Sequence, residues 1–521
     1  MNMVTGEKEI VTEHGMLVPL GRFAQQVGLD DAFRRVPFGM KSVVHTPSEK
    51  LAELFCHICG GGMYVKELDR SAHPVTADSA VAEAWGQASF ASSSGVNALL
   101  RKTTPETVAA LKTELNAVMA PYRQRVLRKV SPSWIVVDLD LMGLVVSDQA
   151  TTYEGADYGY MGEVGKLGKG YQFARAQLST ERDRLVLGGI LHPGHTLATQ
   201  CVRELVGVIE ATLGRPRRRV EVLTERLATL STQVRALEAQ LARWAADGRR
   251  RRTQEEVEAR LARLRSQIQE LEQRRTPFDA ENRANLAPRR IIVRMDAGFG
   301  TAEHISWLYE QGYSVIAKVH SPHIAQCLQA EADPRWEKIS KNGFIAATTR
   351  TQLGDCPYPL RLFACKQWWG DDRPAHWSAL AVTPDLTAAD WPAREVGVLY
   401  NGRQTMEAGI KESKGIFASR HLPTRHQPGI ALYQELVRFA QNFLGWFRRQ
   451  ILGKTPLATV GIKALVQIGA KSRATIARAD HGLTLTFVGD SPWRHYAIVL
   501  RTFLSYQPPL PGFDSVVEVQ P

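Results

Sequence analysis

The strongest pattern in this chain of 521 residues is an apolar, β-branched stretch at residues 134–146 that is interrupted by two acids. A short run of this kind, rich in Val and Ile, indicates a β-strand. Asp138 and Asp140 stand two positions apart within it. Successive side chains of a strand point to opposite faces, so both carboxylates are expected on the same face. The sequence therefore predicts a strand that presents a pair of acids.

The segments around this stretch predict an α/β domain. Strand-like runs at 172–178 and 184–190 precede a helical pattern at 196–213, and the alternation resumes with a strand at 290–295, a helix at 302–311 and a strand at 314–319. Three strands followed by a helix are a typical opening of such a domain. Asp296 directly follows the predicted strand at 290–295. In open α/β sheets the carboxyl ends of strands form the active-site crevice.

A heptad pattern interrupts this domain at residues 220–271. Apolar residues recur at steps of three and four in two stretches that are separated by a short polar loop. This pattern predicts two coiled-coil helices, and a short connection favours an antiparallel hairpin within one chain. The rival geometry is a parallel coiled coil between two protomers. Arginines at 249–252 in the loop and at 217–219 at the base place positive charge at both ends, either for contact with DNA or as solvated charge.

The remaining segments complete the predicted domain organisation. A helical pattern covers residues 17–128, short strand-like runs fall at 343–349, 360–364 and 378–382, helices are expected at 404–414 and 429–452, and a strand pair at 483–487 and 497–500. The predicted divisions are a helical amino-terminal domain at 1–130, expected to bind DNA; three parts of one core at 131–215, 277–332 and 396–455, the last with the helix that bears Glu407; a coiled-coil hairpin insertion at 216–276; a β-rich insertion at 333–395; and a carboxyl-terminal region at 456–521.

The net charge of the chain points to a polyanionic partner. The charge is +12 and the isoelectric point is near 9.4, and each phosphate that a Lys or Arg neutralises releases a condensed counterion. Six cysteines in so long a chain do not form a disulfide framework. No apolar run is long enough to span a bilayer, and acidic residues stand near the amino terminus where a signal peptide has basic ones. We therefore expect a cytoplasmic, nucleoid-associated protein that binds nucleic acid and no membrane.

A third group of polar residues stands near position 400. Tyr400, Arg403, Glu407, Lys411 and Lys414 recur at intervals of three or four, so on one helix they would share a face. A face with one carboxylate among three cations suits a site that binds both a metal ion and phosphate. The alternative is a ladder of surface salt bridges along the helix.

The spacing Tyr-x2-Arg-x3-Glu-x6-Lys at Tyr400, Arg403, Glu407 and Lys414 resembles the signature of bacterial insertion-sequence transposases with an RNase H-like core and an Asp-Asp-Glu triad. The segment Asp296-Ala-Gly-Phe-Gly is similar to the second-Asp motif of that family. The segment Ser419-Arg-His-Leu-Pro, the apolar helix after it, and a β-rich insertion between the second Asp and the Glu are also similar to those enzymes. The resemblance covers about residues 133–452.

The resemblance implies an α/β fold with an RNase H-like catalytic core, a mixed sheet flanked by helices. Asp140, Asp296 and Glu407 would be the catalytic acids and the ligands of two Mg²⁺ (or Mn²⁺) ions, since Mg²⁺ prefers oxygen ligands. Asp138 is the alternative first acid, and Asp140 is favoured because it lies nearer the end of the strand. Tyr400, Arg403 and Lys414 would bind DNA phosphates.

The implied activity is cut-and-paste DNA transposition. The enzyme would nick double-stranded DNA at the terminal inverted repeats of its element and join the 3′-OH to target DNA, working as a homodimer because two ends are cut together. Two alternatives remain open on the sequence alone: an RNase H-like, metal-dependent nuclease without strand transfer, and a DNA-binding protein that has lost catalysis.

Overall fold

The computed structural model describes residues 10–40, 44–130, 134–161, 167–180, 183–247, 251–331, 335–370, 373–453, 456–479, 482–494, 497–501 and 517–520. The chain divides into two compact units. Unit 1 comprises Met1–Val130, Leu141–Thr196 and Gln404–Pro521, and unit 2 comprises Ser131–Asp140 and Leu197–Arg403. The helices predicted for 17–128 therefore share a unit with two later parts of the chain.

The α-helices are α1 (Leu17–Gln26), α2 (Leu29–Arg34), α3 (Pro47–Cys59), α4 (Glu67–Arg70), α5 (Ser79–Ala84), α6 (Ser93–Lys102), α7 (Pro105–Val130), α8 (Ala198–Leu213), α9 (Val220–Asp247), α10 (Arg251–Ala284), α11 (Ala302–Glu310), α12 (Pro322–Glu331), α13 (Ala393–Asn401), α14 (Gln404–Gly415), α15 (Gln427–Gln450) and α16 (Ile462–Gln467). In the described ranges, none of these helices is both long and apolar enough to cross a membrane.

The strands are β1 (Ile10–Thr12), β2 (Ile135–Val145), β3 (Asp157–Tyr160), β4 (Leu167–Ser179), β5 (Arg184–Pro193), β6 (Ile291–Met295), β7 (Ser314–Lys318), β8 (Glu337–Lys338), β9 (Gly343–Ala347), β10 (Arg361–Gln367), β11 (His376–Val382), β12 (Ala474–Ala479), β13 (Gly482–Phe487), β14 (Ala497–Arg501) and β15 (Val517–Gln520). The alternation of strands and helices confirms the predicted α/β class.

The helical part of unit 1 is built around α15. Most side chains of this helix are buried, polar ones included. Two of the buried polar residues, Glu435 and Arg438, form an ion pair at 2.7 Å, because a buried charge requires a partner. Phe23 of α1 contacts Phe443 of α15 with ring centroids 5.1 Å apart. The indole nitrogen of Trp85 donates to a backbone carbonyl of α1 at 2.9 Å, so this buried ring keeps its one polar atom satisfied. The predicted helix at 429–452 is thus confirmed as a core helix.

Unit 1 also contains antiparallel β-structure. The long strand β4 pairs with β3 and β5, as the sequence predicted for 172–178 and 184–190. A second sheet has the order β1-β12-β13-β14-β15, and its β13–β14 pair confirms the strand pair predicted near the carboxyl terminus. In this sheet the short amino-terminal strand β1 pairs with β12, far along the chain.

Unit 2 is a mixed sheet with helices packed against it. The first part of β2 runs parallel to β6, and β6 runs parallel to β7. The order continues through β11, β10, β9 and β8 with antiparallel pairing. Fully buried Ile292, Phe363 and Val396 belong to one apolar cluster that joins β6, β10 and α13.

The segment predicted as an inserted β-rich subdomain at 333–395 requires a correction. It does contain strands, but β11 pairs with β7 along Leu380↔Lys318 and Val382↔Ile316. Its strands therefore extend the sheet that holds β6 and β7 and do not form a sheet of their own. The reason is that an edge strand such as β7 presents unpaired backbone groups, which β11 satisfies.

The heptad segment in unit 2 forms the predicted antiparallel hairpin. Leu223 and Leu227 of α9 pack in one cluster with Leu264 and Leu271 of α10. Near the base, the backbone nitrogen of Arg218 donates to Asn282 at 2.7 Å, so the start of α9 lies beside the end of α10. The second helix continues to Ala284, beyond the predicted boundary at 276.

The base of the hairpin bears out only part of the expected exposed positive charge, because Arg217 is exposed whereas Arg218 and Arg219 are not. Arg218 is buried and pairs with Glu210 and Glu281, at 2.8 and 2.7 Å. Arg219 pairs with Asp385 at 2.7 Å. These guanidinium groups fix the hairpin to its own unit, because a buried charge requires a partner. Arginines 249 and 250 of the loop, and the side chains of Arg251 and Arg252, lie outside the described part of the chain.

Candidate active site

The two acid-bearing segments of unit 2 lie side by side. Strands β2 and β6 are parallel neighbours, and their register places Asp138 opposite Arg294. Two residues further along each chain segment come Asp140 and Asp296. Because the strands run in the same direction, this register places the two acids side by side. Asp296 lies directly after the end of β6, as predicted. The prediction that Asp140 lies near the end of its strand is wrong, because β2 continues to Val145.

Asp138 forms a closed ion pair inside the sheet. Its two carboxylate oxygens accept from Nε and Nη2 of Arg294, each at 2.7 Å. The Asp138 side chain is completely buried and that of Arg294 is 3% exposed. A bidentate pair of this kind is strong and directional. It occupies both oxygens of Asp138, whereas Asp140 retains some exposure.

The turn after β6 fixes Asp296. The backbone nitrogen of Gly298 donates to its Oδ1 at 3.0 Å, and its backbone oxygen accepts from Gly300 at 3.0 Å. A Cβ at Gly300 would lie 2.2 Å from the backbone oxygen of Lys318, so only glycine permits this close approach to β7. The Asp-Ala-Gly-Phe-Gly motif is therefore a tight turn that holds one oxygen of Asp296 and leaves its side chain 39% exposed.

Arg403 joins the two acids. Its Nη2 lies 3.0 Å from Oδ2 of Asp140 and 3.7 Å from Oδ2 of Asp296, and it also donates to the backbone oxygen of Leu139 at 3.1 Å. Burial by itself would lower the pKa of Arg403, but the carboxylates of Asp140 and Asp296 outweigh burial and raise that pKa. The guanidinium thus remains a cation at the point where two carboxylates converge.

Tyr400 packs beside this cluster. Its hydroxyl donates to the backbone oxygen of Met295 at 3.3 Å, and burial raises the pKa of the phenol above its ordinary value. Helix α13 ends at Asn401 and α14 begins at Gln404. The expectation that Tyr400 and Arg403 share one helical face with Glu407 is therefore wrong. A Cβ at Gly402 would lie 2.7 Å from Nη1 of Arg294, so a larger residue in this break would require the Arg294 side chain to move.

Glu407 and Lys414 belong to α14 in unit 1, whose bounds confirm the helix predicted for 404–414. Glu407 is exposed in the first turn of the helix, and Lys414 is half-buried in the last. The helix is anchored within its unit by buried polar contacts. The Oγ of Ser413 accepts from Arg175 at 3.2 Å, and Nε2 of Gln441 donates to the backbone oxygen of Gly409 at 2.8 Å.

The structure thus brings Asp140, Asp296 and Arg403 together in unit 2. The phosphate-binding roles of Tyr400, Arg403 and Lys414 stay predictions, and the bridging of two acids by Arg403 is a contact that sequence reasoning missed. The Arg294–Asp138 pair was missed as well. Its signal was present in the sequence, because an arginine inside the apolar strand β6 needs a buried acid as its partner.

The two acids suit a cation. Their Oδ2 atoms already share one positively charged group, the guanidinium of Arg403, and carboxylate oxygens are the ligands that Mg²⁺ and Mn²⁺ take. Within the described ranges, no three His, Cys, Asp or Glu side chains lie close enough together to hold a metal ion.

Comparison with known proteins identifies no relative of this chain from which a function could be inferred. No model of a known protein family matches this chain, and no curated protein matches it.

Proposed function

We propose that this protein is a transposase that cuts DNA at the ends of its element and joins the 3′-OH to target DNA, with a metal-dependent RNase H-like core. The observation that carries the proposal is the convergence of Asp140 and Asp296 from two parallel neighbouring strands onto one cation. The Tyr-Arg-Glu-Lys signature that begins beside this cluster and the net charge of +12 support it.

Asp140, Asp296 and Glu407 are the proposed ligands of two Mg²⁺ or Mn²⁺ ions. Bound divalent ions supply Lewis-acid stabilisation of the attacking and leaving oxygens of a scissile phosphodiester. Asp138 is proposed to have a structural role and not to bind metal, because Arg294 donates to both of its carboxylate oxygens. Asp140 is therefore the proposed first acid of the triad, because its carboxylate shares Arg403 with Asp296.

The protein's own groups would position the acids and the DNA. The turn at Gly298 holds Oδ1 of Asp296, and Oδ2 faces Arg403, whose place a metal ion would take. Arg403 keeps the two carboxylates close together without a metal ion, because a shared counter-charge offsets their repulsion. Lys414 is proposed to contact a backbone phosphate as a point charge. A homodimer on double-stranded DNA is part of the proposal, because two element ends must be cut together.

A strand-cleavage assay tests the proposal. The substrate is double-stranded DNA carrying the sequences that flank the coding region, incubated with the full chain in Mg²⁺, in Mn²⁺ or with a chelator, and with a second duplex as target. The proposal expects metal-dependent nicks at the flanking sequences followed by joined products. Nicks without joining would favour the nuclease alternative, and binding without any nick would favour a DNA-binding protein without catalysis.

A further inference from the structure

A lysine lies beside Asp296 on the strand that neighbours β6 in the sheet. Strands β6 and β7 are parallel, and their register ends on the pair Met295↔Ala317. The next position along each segment places Asp296 beside Lys318, the last residue of β7. Because neighbouring strands are roughly 4.8 Å apart, Lys318 continues the row formed by Asp140 and Asp296 within unit 2.

The side chain of Lys318 belongs to the same face of the sheet as the two acids. Successive side chains of a strand alternate between faces, and Ile316, two residues before Lys318, belongs to the apolar cluster on which Cys365 and Tyr400 also pack. Burial raises the pKa of the Cys365 thiol to about 12, against the nearby charge of Lys318, which lowers it. Burial also raises the pKa of Tyr400, and the carboxylate of Asp296 raises it further. Lys318 and Asp296 are thus both close to this one cluster.

Lys318 differs from the two arginines of this face because it has no acidic partner. Arg294 pairs with Asp138 at 2.7 Å, and Arg403 pairs with Asp140 at 3.0 Å. Among the residues that the structure describes, no carboxylate forms an ion pair with the amino group of Lys318. The residue is half-buried, so water solvates its charge only in part and an anionic ligand would stabilise it.

The backbone that carries Lys318 is held on both sides. Strand β7 lies between β6 and β11, and Lys318 is paired with Leu380 of β11. The backbone nitrogen of Val319 donates to the backbone oxygen of Ala379 at 2.9 Å. A Cβ at Gly300 would lie 2.2 Å from the backbone oxygen of Lys318, so the turn that fixes Asp296 packs directly on this position. The ammonium group therefore starts from a rigid strand end beside the acids.

We propose that Lys318 contacts a non-bridging oxygen of the phosphodiester on which Asp140 and Asp296 act. The inference rests on the proposed DNA cleavage and adds a catalytic residue to it. The negative charge of a phosphodiester repels an attacking oxygen, and an ammonium group beside the phosphate offsets this charge. Arg403 is engaged by the acids themselves, so Lys318 is the cation of this row that can turn to the substrate.

The test compares the full-length protein with Lys318→Gln, Lys318→Arg and the control Lys338→Gln. Lys338 is an exposed lysine of β8, in the same sheet. Cleavage of flanking DNA is measured in Mg²⁺ or Mn²⁺. Binding of the same DNA is measured in Ca²⁺ over a range of salt concentrations, and thermal unfolding checks that each variant is folded.

The proposal expects Lys318→Gln to cleave at least about a hundredfold more slowly than wild type, with a salt slope of DNA binding that falls by about one unit. Lys318→Arg keeps the charge and should retain the slope, and Lys338→Gln should match wild type in both measurements. The proposal is overturned if Lys318→Gln cleaves at the rate of Lys338→Gln, or if its salt slope equals that of wild type. If wild type does not cleave at all, the proposed function fails, and the salt slope still decides whether Lys318 contacts a phosphate.

Discussion

Replacing Asp138 or Asp140 by asparagine separates a structural acid from a functional one. The two residues stand on the same strand, two positions apart, and the substitution keeps the shape of the side chain. In Asp138→Asn the guanidinium of Arg294, with its side chain 3% exposed, loses its counter-charge. Removing one partner of a buried ion pair costs about 3–5 kcal/mol of unfolding free energy.

The same change at Asp140 is expected to cost less. Arg403 would keep a carboxylate, Asp296, at 3.7 Å and the backbone oxygen of Leu139 at 3.1 Å. One charge-assisted hydrogen bond is lost, which corresponds to about 1.5–3 kcal/mol at most. Metal binding should show the opposite order, with Mn²⁺ affinity reduced strongly in Asp140→Asn and little in Asp138→Asn.

Urea unfolding measures the free energy of unfolding of each variant. Hydrogen exchange of peptides from β2 and β6 measures the stability of unit 2 itself. The control is D138L/R294M, since an apolar replacement of both partners removes the uncompensated charge and should recover most of the stability lost in D138L. Equal losses for Asp138→Asn and Asp140→Asn, or a loss below about 1 kcal/mol for Asp138→Asn, would refute the assignment of Asp138 to the fold.

Three further predictions concern single side chains. Arg403→Gln removes the cation shared by Asp140 and Asp296, so Mn²⁺ affinity should rise several-fold while stability without metal falls by about 2 kcal/mol; unchanged Mn²⁺ affinity in calorimetry would contradict this. Burial raises the pKa of Glu53 from 4.5 to about 8. The folded state therefore holds a proton that the unfolded state has released, and stability should fall by up to about 1.4 kcal/mol per pH unit between pH 4.5 and 8; a Glu53→Gln variant with the same pH dependence in urea unfolding would show that another group is responsible. Lys414→Gln should lower the salt slope of DNA binding by about one unit, and an unchanged slope would remove Lys414 from the DNA contact.

Local sequence patterns predicted the elements that depend on local periodicity. The heptad positions of α9 and α10 specify the hairpin because a short loop leaves two helices few other ways to bury their apolar seams. Asp296 could be placed at the end of a strand because it directly follows the apolar run of β6. The α/β alternation also predicted that this strand and β2 belong to one sheet. These predictions required only the spacing of apolar and acidic residues along the sequence.

Contacts between distant segments could not be predicted in this way. The pairing of β11 with β7 depends on which edge strand of the sheet still has unpaired backbone groups. The spacing of residues in the sequence does not show which strand this is. At the break between α13 and α14, Gly402 lies close to the Arg294 side chain, and only the folded chain brings these two residues together. The position of Arg403 between Asp140 and Asp296 depends on this same break. The spacing predicted one helical face for Tyr400, Arg403 and Glu407, and the break between the two helices shows that this geometry was wrong.

DNA cleavage by acid-to-alanine variants tests most directly whether Asp140, Asp296 and Glu407 form a set of three catalytic carboxylates. We predict that Asp296→Ala and Glu407→Ala abolish nicking and joining of flanking DNA in Mg²⁺ or Mn²⁺ while binding the same DNA within a few-fold of wild type. Glu395→Gln, which removes an exposed acid of α13 outside the site, should cleave normally. Wild-type nicking by either alanine variant would contradict the triad and the activity assigned to it.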